Sequence, residues 1–179
     1  MKNIVLIGMP GCGKSTIGVV LAKVLGFDFV DADVLIQKKH GKLLRELIAE
    51  YGDDGFLQIE NDVNKEIDLK NTVIATGGSV VYCDEAMQHY VKNDIVVYIE
   101  LPYEVIASRL ENVKRRGVVL KDGQTLKDLY KERILLYEKY AQITVKAEGL
   151  SVEELMDMIA EKVLAYESTH KCEEQAQKA

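Results

Sequence analysis

Short continuous apolar runs and longer amphipathic stretches alternate along this chain. The runs IVLI (4–7), TVIA (72–75) and IVVYI (95–99) are rich in β-branched residues and show no two-residue alternation. Strands of that kind are covered on both faces, which is the habit of parallel sheets flanked by helices. FDFV (27–30) and ITV (143–145) are weaker segments that bring the expected strand count to five.

Between the runs lie helical patterns. Lys14 to Leu25 follows a glycine loop and stops at Gly26, a residue suited to ending helices. Leu43 to Tyr51 and Asp54 to Leu69 fill the gap before the third strand. Pro102 opens a helix to Val113 at a position where its missing N–H is not needed. Ser151 and Glu154 form a capping box that starts a last helix running to about Tyr166. The polar stretch beyond it, residues 167–179, reads as a disordered tail.

No repeat or linker interrupts the alternation. The pattern therefore predicts one α/β domain over residues 1–166, a five-stranded parallel sheet with helices on both faces. One glycine-bearing, charge-rich segment, about 112–124, is expected to form a mobile lid.

Composition narrows the function classes. A chain of 179 residues buries roughly 70% of its unfolded surface in one core. The net charge of −6 argues against nucleic acid as a partner, and Lys114, Arg115 and Arg116 form too short a basic run to reverse that. Tryptophan is absent, which leaves few platforms for base stacking. No apolar stretch approaches the ~20 residues needed to span a bilayer, and the first run is broken at Gly8, unlike a signal peptide. Cys12, Cys83 and Cys172 are odd in number and lack metal-ligand spacing, so free thiols and a cytoplasmic location are expected.

The candidate chemistry starts at GMPGCGKS (8–15), which matches the phosphate-loop pattern and stands between a strand and a helix. Glycines there let backbone N–H groups converge on a phosphate, and the helix N-terminus adds partial positive charge. Lys14 would neutralise the β- and γ-phosphate oxygens of a nucleoside triphosphate, and the Ser15 hydroxyl could ligate Mg²⁺. Cys12 is either a reactive thiol or a small residue lending its backbone N–H.

Two further features end successive strands. Asp31 and Asp33 follow the second, where a carboxylate could hold Mg²⁺ through water or accept a hydroxyl proton; a pair of helix caps is the plain alternative. Gly77, Gly78 and Ser79 follow the third, allowing close backbone approach to a ligand or simply making a turn. Arg116 in the lid could close over a γ-phosphate. Arg133 is either an anion clamp or a surface partner of Glu132 or Glu138.

Taken in order, GMPGCGKST (8–16), DAD (31–33), GFLQIE (55–60), VIATGGS (73–79), SRL (108–110), RRGVVL (115–120) and ERILLYEKYA (132–141) resemble the shikimate kinase family over nearly the whole chain. The resemblance implies a three-layer P-loop kinase fold, a monomer, and transfer of the ATP γ-phosphate to the 3-hydroxyl of shikimate with Mg²⁺. It assigns Gly11, Cys12, Gly13, Lys14, Ser15 and Thr16 to nucleotide phosphates, Arg109 to adenine, and Ser15 and Asp31 to the metal. Lys14, Asp33 and Arg116 would be catalytic. Asp33, Glu60, Gly77, Gly78, Ser79 and Arg133 would bind the acceptor, with Arg133 on its carboxylate.

Three positions depart from the family pattern. Leu57 stands where the family carries a second carboxylate-binding arginine, beside the position of Glu60; Arg45 is a poor substitute. Ser79 replaces a glycine, and the lid reads Arg116-Gly117-Val118-Val119 in place of Arg-Pro-Leu-Leu. Losing one charge-assisted bond costs about 1.5–3 kcal/mol, or roughly 10- to 150-fold in affinity. A relative acting on another hydroxylated metabolite, a catalytically silent nucleotide-binding module and a nucleoside monophosphate kinase are the competing readings.

Overall fold

The computed structural model describes residues 1–110 and 123–176. Arg115, Arg116, Gly117, Val118, Val119 and nearly all of the expected lid lie outside the described residues.

The expected parallel sheet is present. Strands β1 (Ile4–Ile7), β2 (Asp28–Asp31), β3 (Thr72–Ala75), β4 (Ile95–Glu100) and β5 (Ile143–Lys146) lie in the order β2-β3-β1-β4-β5. Every pairing is parallel. The residues of β1 have no solvent exposure, as its unbroken apolar run requires. Leu6 of β1 and Asp31 of β2 both pair with Ala75 of β3, so these three strands end side by side. Their following loops share one crevice at the C-terminal edge of the sheet, where open α/β folds bind ligands.

Helix α1 (Lys14–Leu25) has the expected bounds, and Gly26 ends it in a left-handed conformation. Two helices went unforeseen. Helix α2 (Ala32–His40) is short and buries only Ala32 and Ile36, too little for a periodic signal. Helix α4 (Asp84–Asn93) buries Ala86, Met87 and Tyr90 at helical spacing. Helix α3 (Leu44–Lys65) joins the two expected segments across a kink at Gly52 (φ 68°, ψ −177°).

Helix α5 (Tyr103–Leu110) follows Pro102, and α6 (Leu126–Tyr140) is opened by a capping box between Thr125 and Asp128. The last helix, α7 (Val152–Ala176), corrects the expected tail: it continues well past Tyr166. The Lys2 N–H bonds to Glu167 (2.9 Å), and Tyr166 stacks on His170 one turn later (3.9 Å between centroids), so the first residues beyond Tyr166 have partners that hold them helical.

Apolar side chains form two clusters. The larger one covers both sheet faces. The smaller one, Ile36, Leu47, Phe56 and Val63, joins α2 to α3 beside the crevice.

Candidate active site

The phosphate loop begins as β1 ends. Gly8 takes φ 147°, and a Cβ there would meet the Ile99 carbonyl at 2.8 Å and the Cys12 sulfur at 3.0 Å, so only glycine fits. Gly13 caps α1 with φ 104° and no side-chain bond, leaving the first-turn amides without a side-chain acceptor. Lys14 is only 7% exposed, and its ammonium donates to the carbonyls of Gly8 (2.7 Å) and Met9 (3.1 Å). This anchors the cation within the loop.

Cys12 is the exception among the expected phosphate ligands. Its N–H donates to the Met9 carbonyl (3.1 Å), closing the turn, and its thiol is buried. It therefore serves the loop's shape as well as lining the cleft. Arg109, exposed on α5, donates to the Gly11 carbonyl (3.0 Å) and so joins the nucleotide end of the cleft.

The two aspartates after β2 divide their work. Asp31 caps α2, its Oδ1 accepting the N–H groups of Asp33 (3.0 Å) and Val34 (3.4 Å). Its Oδ2 accepts the Ser15 hydroxyl at 2.7 Å. The capping alternative is thus right for Asp31, and Asp33 is left facing the cleft. Burial, then the charge of Asp31, push the Asp33 carboxyl up to about 6 against the opposing pull of Lys14.

Ser15 and Asp31 offer a hydroxyl and a carboxylate close together. Among the described residues there is no cluster of three or more His, Cys, Asp or Glu side chains able to cage a metal. Two hard oxygen donors without a cage fit Mg²⁺, which keeps several waters and takes phosphate oxygens as further ligands.

The turn after β3 is gripped from several sides. A Cβ on Gly77 would lie 2.3 Å from Glu60 Oε1 and 2.9 Å from Asp33 Oδ1, so this residue sits against both carboxylates. A Cβ on Gly78 would lie 2.7 Å from the Pro10 ring and 3.2 Å from an Arg133 terminal nitrogen. The Gly78 carbonyl accepts the Tyr137 hydroxyl at 2.6 Å, and Ser79 Oγ donates to Glu60 Oε2 at 2.6 Å.

Arg133 is 3% exposed, which removes the surface ion-pair alternative. Its guanidinium lies 5.3 Å from the Tyr82 ring centroid, and its Nε has no partner among the described residues. Glu60 has no exposure. Burial raises its carboxyl to about 7, opposed by the Ser79 bond, with Asp33 adding to the rise and Arg133 and Lys14 opposing it.

These groups line one cleft of about 470 Å³, with Lys14, Ser15, Asp33, Gly77, Gly78, Ser79, Arg109 and Arg133 on its walls and Glu60 packed behind Gly77. Leu57 is half-buried and absent from the walls; Phe56, Leu44 and Ile48 stand there on that side. Arg45 is exposed and also off the walls. Lys14 and Arg109 both bond to the glycine loop, so Arg133 is the acceptor-side cation among the described residues. Sequence reasoning missed Tyr137 and Tyr82. The first stands one turn after Arg133 on α6, a spacing that places both on one helix face.

Comparison with known proteins agrees with this geometry. The family model for shikimate kinase matches residues 10–164. A shikimate kinase of Thermodesulfovibrio yellowstonii is 40% identical over 162 residues, 89% of this chain and 93% of its own length. One from Clostridium botulinum is 42% identical over 161 residues, covering 89% and 96% of the two chains. The solved shikimate kinase of Acinetobacter baumannii, in complex with shikimate, superposes with a TM-score of 0.86 at 31% identity, covering 93% of this chain and 94% of that one. With the phosphate loop, the aspartate after β2 and the glycine turn after β3 converging on one cleft, this chain belongs to the shikimate kinase family.

Proposed function

We propose that this protein is an ATP-dependent shikimate kinase that transfers the γ-phosphate of ATP to the 3-hydroxyl of shikimate. The observation that carries the reading is the meeting of Asp33 and Arg133 at one glycine turn, in the cleft that Lys14 also lines. A hydroxyl acceptor bearing a carboxylate would engage a proton-accepting group and a buried cation at once. Asp33 takes the hydroxyl proton as the oxygen bonds to the γ-phosphorus and the bond to the β–γ bridging oxygen breaks, releasing ADP. Its ionised form does this, so activity rises as the pH passes about 6.

Lys14 holds the β- and γ-phosphates, with the uncapped first turn of α1 adding amide donors. Ser15 and Asp31 would hold Mg²⁺, which neutralises charge on the phosphate oxygens. Arg109 and the apolar wall of Leu150, Val152 and Leu155 would receive the base. Arg133 grips the acceptor carboxylate. Arg116 is assigned the lid role on family resemblance. We read the protein as a cytoplasmic monomer, in keeping with the free, buried thiols of Cys12 and Cys83.

A second reading has one observation in its favour. The acceptor side offers Arg133 without a second described cation, which also suits a hydroxylated metabolite with less negative charge. ADP release measured with shikimate and with a panel of hydroxy acids, polyols and amino alcohols separates the two. Shikimate-dependent turnover is expected, and its absence at millimolar substrate would overturn the choice of acceptor.

A further inference from the structure

Glu60 is a charged-type side chain with no solvent exposure, set in α3 behind the turn that follows β3. A buried carboxyl group is costly unless it is hydrogen-bonded. Its bonding is lopsided. Oε2 accepts the Ser79 hydroxyl at 2.6 Å, while Oε1 has no partner among the described residues and lies against Gly77. The Ser79 hydroxyl therefore determines which way the carboxyl group turns, and the other oxygen abuts the residue that also touches Asp33. With its proton directed at Glu60, Ser79 offers the cleft only a lone pair.

We infer that Ser79 is a positioning residue for the acceptor site: by orienting the buried Glu60, it braces Gly77 beside Asp33 and holds the turn in one arrangement. The inference rests on the kinase reading of the cleft. Neighbouring residues confirm how tightly the turn is specified. Gly78 is wedged between Pro10 and Arg133, and its carbonyl is taken by Tyr137, so any freedom left in the turn lies at Gly77 and Ser79. A serine at position 79 supplies what the leucine at position 57 does not, a hydrogen-bond donor for Glu60.

Three variants test this: Ser79→Ala, Ser79→Thr and Glu60→Gln. Removing the hydroxyl is expected to raise the acceptor KM about tenfold or more while leaving the ATP KM within about twofold. Ser79→Thr keeps the donor and restores the acceptor KM. Glu60→Gln replaces one carboxyl oxygen with an NH₂ group that cannot accept, so it should raise the acceptor KM in the same direction as Ser79→Ala while the ATP KM holds.

A second readout needs no turnover. Carbon-13 NMR titration of the glutamate carboxyl groups in the free protein should place Glu60 near neutrality and move it upward in Ser79→Ala, since the lost bond favours the ionised form. The other groups facing it, Asp33, Arg133, Lys14, Cys83 and Tyr90, are the same in wild type and Ser79→Ala, so the shift reports the Ser79 bond. An active Ser79→Ala enzyme with an unaltered acceptor KM refutes the inference alone, as does a parallel rise in both KM values with a lowered Tm. A wild type that phosphorylates no acceptor refutes the function, and with it the acceptor-site role of Ser79.

Discussion

Tyr137→Phe isolates one bond in the acceptor wall. The wild-type hydroxyl donates to the Gly78 carbonyl at 2.6 Å, and the ring stacks on Tyr98 with centroids 5.1 Å apart. Phenylalanine preserves the stack and the volume, so no cavity opens. The loss is the hydrogen bond to Gly78, about 1 kcal/mol, a long contact to the Met9 sulfur (3.9 Å), and part of the penalty for an unpaired carbonyl, about 1–3 kcal/mol if fully buried. Gly78 is half-buried at the cleft wall, which reduces that penalty and keeps the total near 1–2 kcal/mol. For a chain of this size, that is a fall in Tm of about 2–8 °C. The turn is also released from α6, so the acceptor KM should rise several-fold while the ATP KM holds. Thermal unfolding and steady-state kinetics with each substrate varied separately read both effects. An unchanged Tm together with an unchanged acceptor KM would refute the claim that α6 fixes the turn.

Other outcomes follow from the same wall. Asp33→Asn should lower kcat by about 10²- to 10⁴-fold, as loss of a positioned proton acceptor does. Its effect on stability has the opposite sign. A carboxyl raised from 3.8 to about 6 binds more protons folded than unfolded in that window, so wild-type stability falls as the pH rises through it. The Asn variant should therefore gain Tm relative to wild type at pH 8 and show no such gain near pH 3, which differential scanning calorimetry can resolve. Leu57→Arg should lower the shikimate KM by about tenfold or more if an arginine there reaches the cleft from its half-buried station. An unchanged KM would mean that the wall formed by Phe56, Leu44 and Ile48 has closed that approach.

The fold around the donor side was legible because its signals are local. The glycines, Lys14 and Ser15 act through backbone conformation and one helix terminus, all within GMPGCGKS, and β1, β3 and α1 follow directly from apolar runs and glycine stops. The acceptor half depends on contacts between distant segments. Ser79 and Glu60 are 19 residues apart and Tyr137 and Gly78 are 59 apart, so neither bond leaves a periodic trace. Asp31 and Asp33 could both have been caps, and only the Ser15 bond and the orientation of α2 separate them. Helix α2 escaped notice because nine residues with two buried positions carry almost no pattern. The continuation of α7 past Tyr166 left no local signal, since one of its contacts, at Glu167, comes from Lys2 at the other end of the chain.

The small cluster of Ile36, Leu47, Phe56 and Val63 stands apart from the main core, and it carries Asp33's helix and the segment that ends in Glu60. A small cluster of this kind has fewer buried apolar partners than the sheet core, so hydrogen exchange is expected to be faster in α2 and the first half of α3 than in β1. The phosphate loop rests instead on β1 and the larger cluster, with Leu35 packed against both clusters. Substitutions on α3, such as the leucine at position 57, can therefore change the acceptor side of the cleft without touching the strand and helix that shape the phosphate loop.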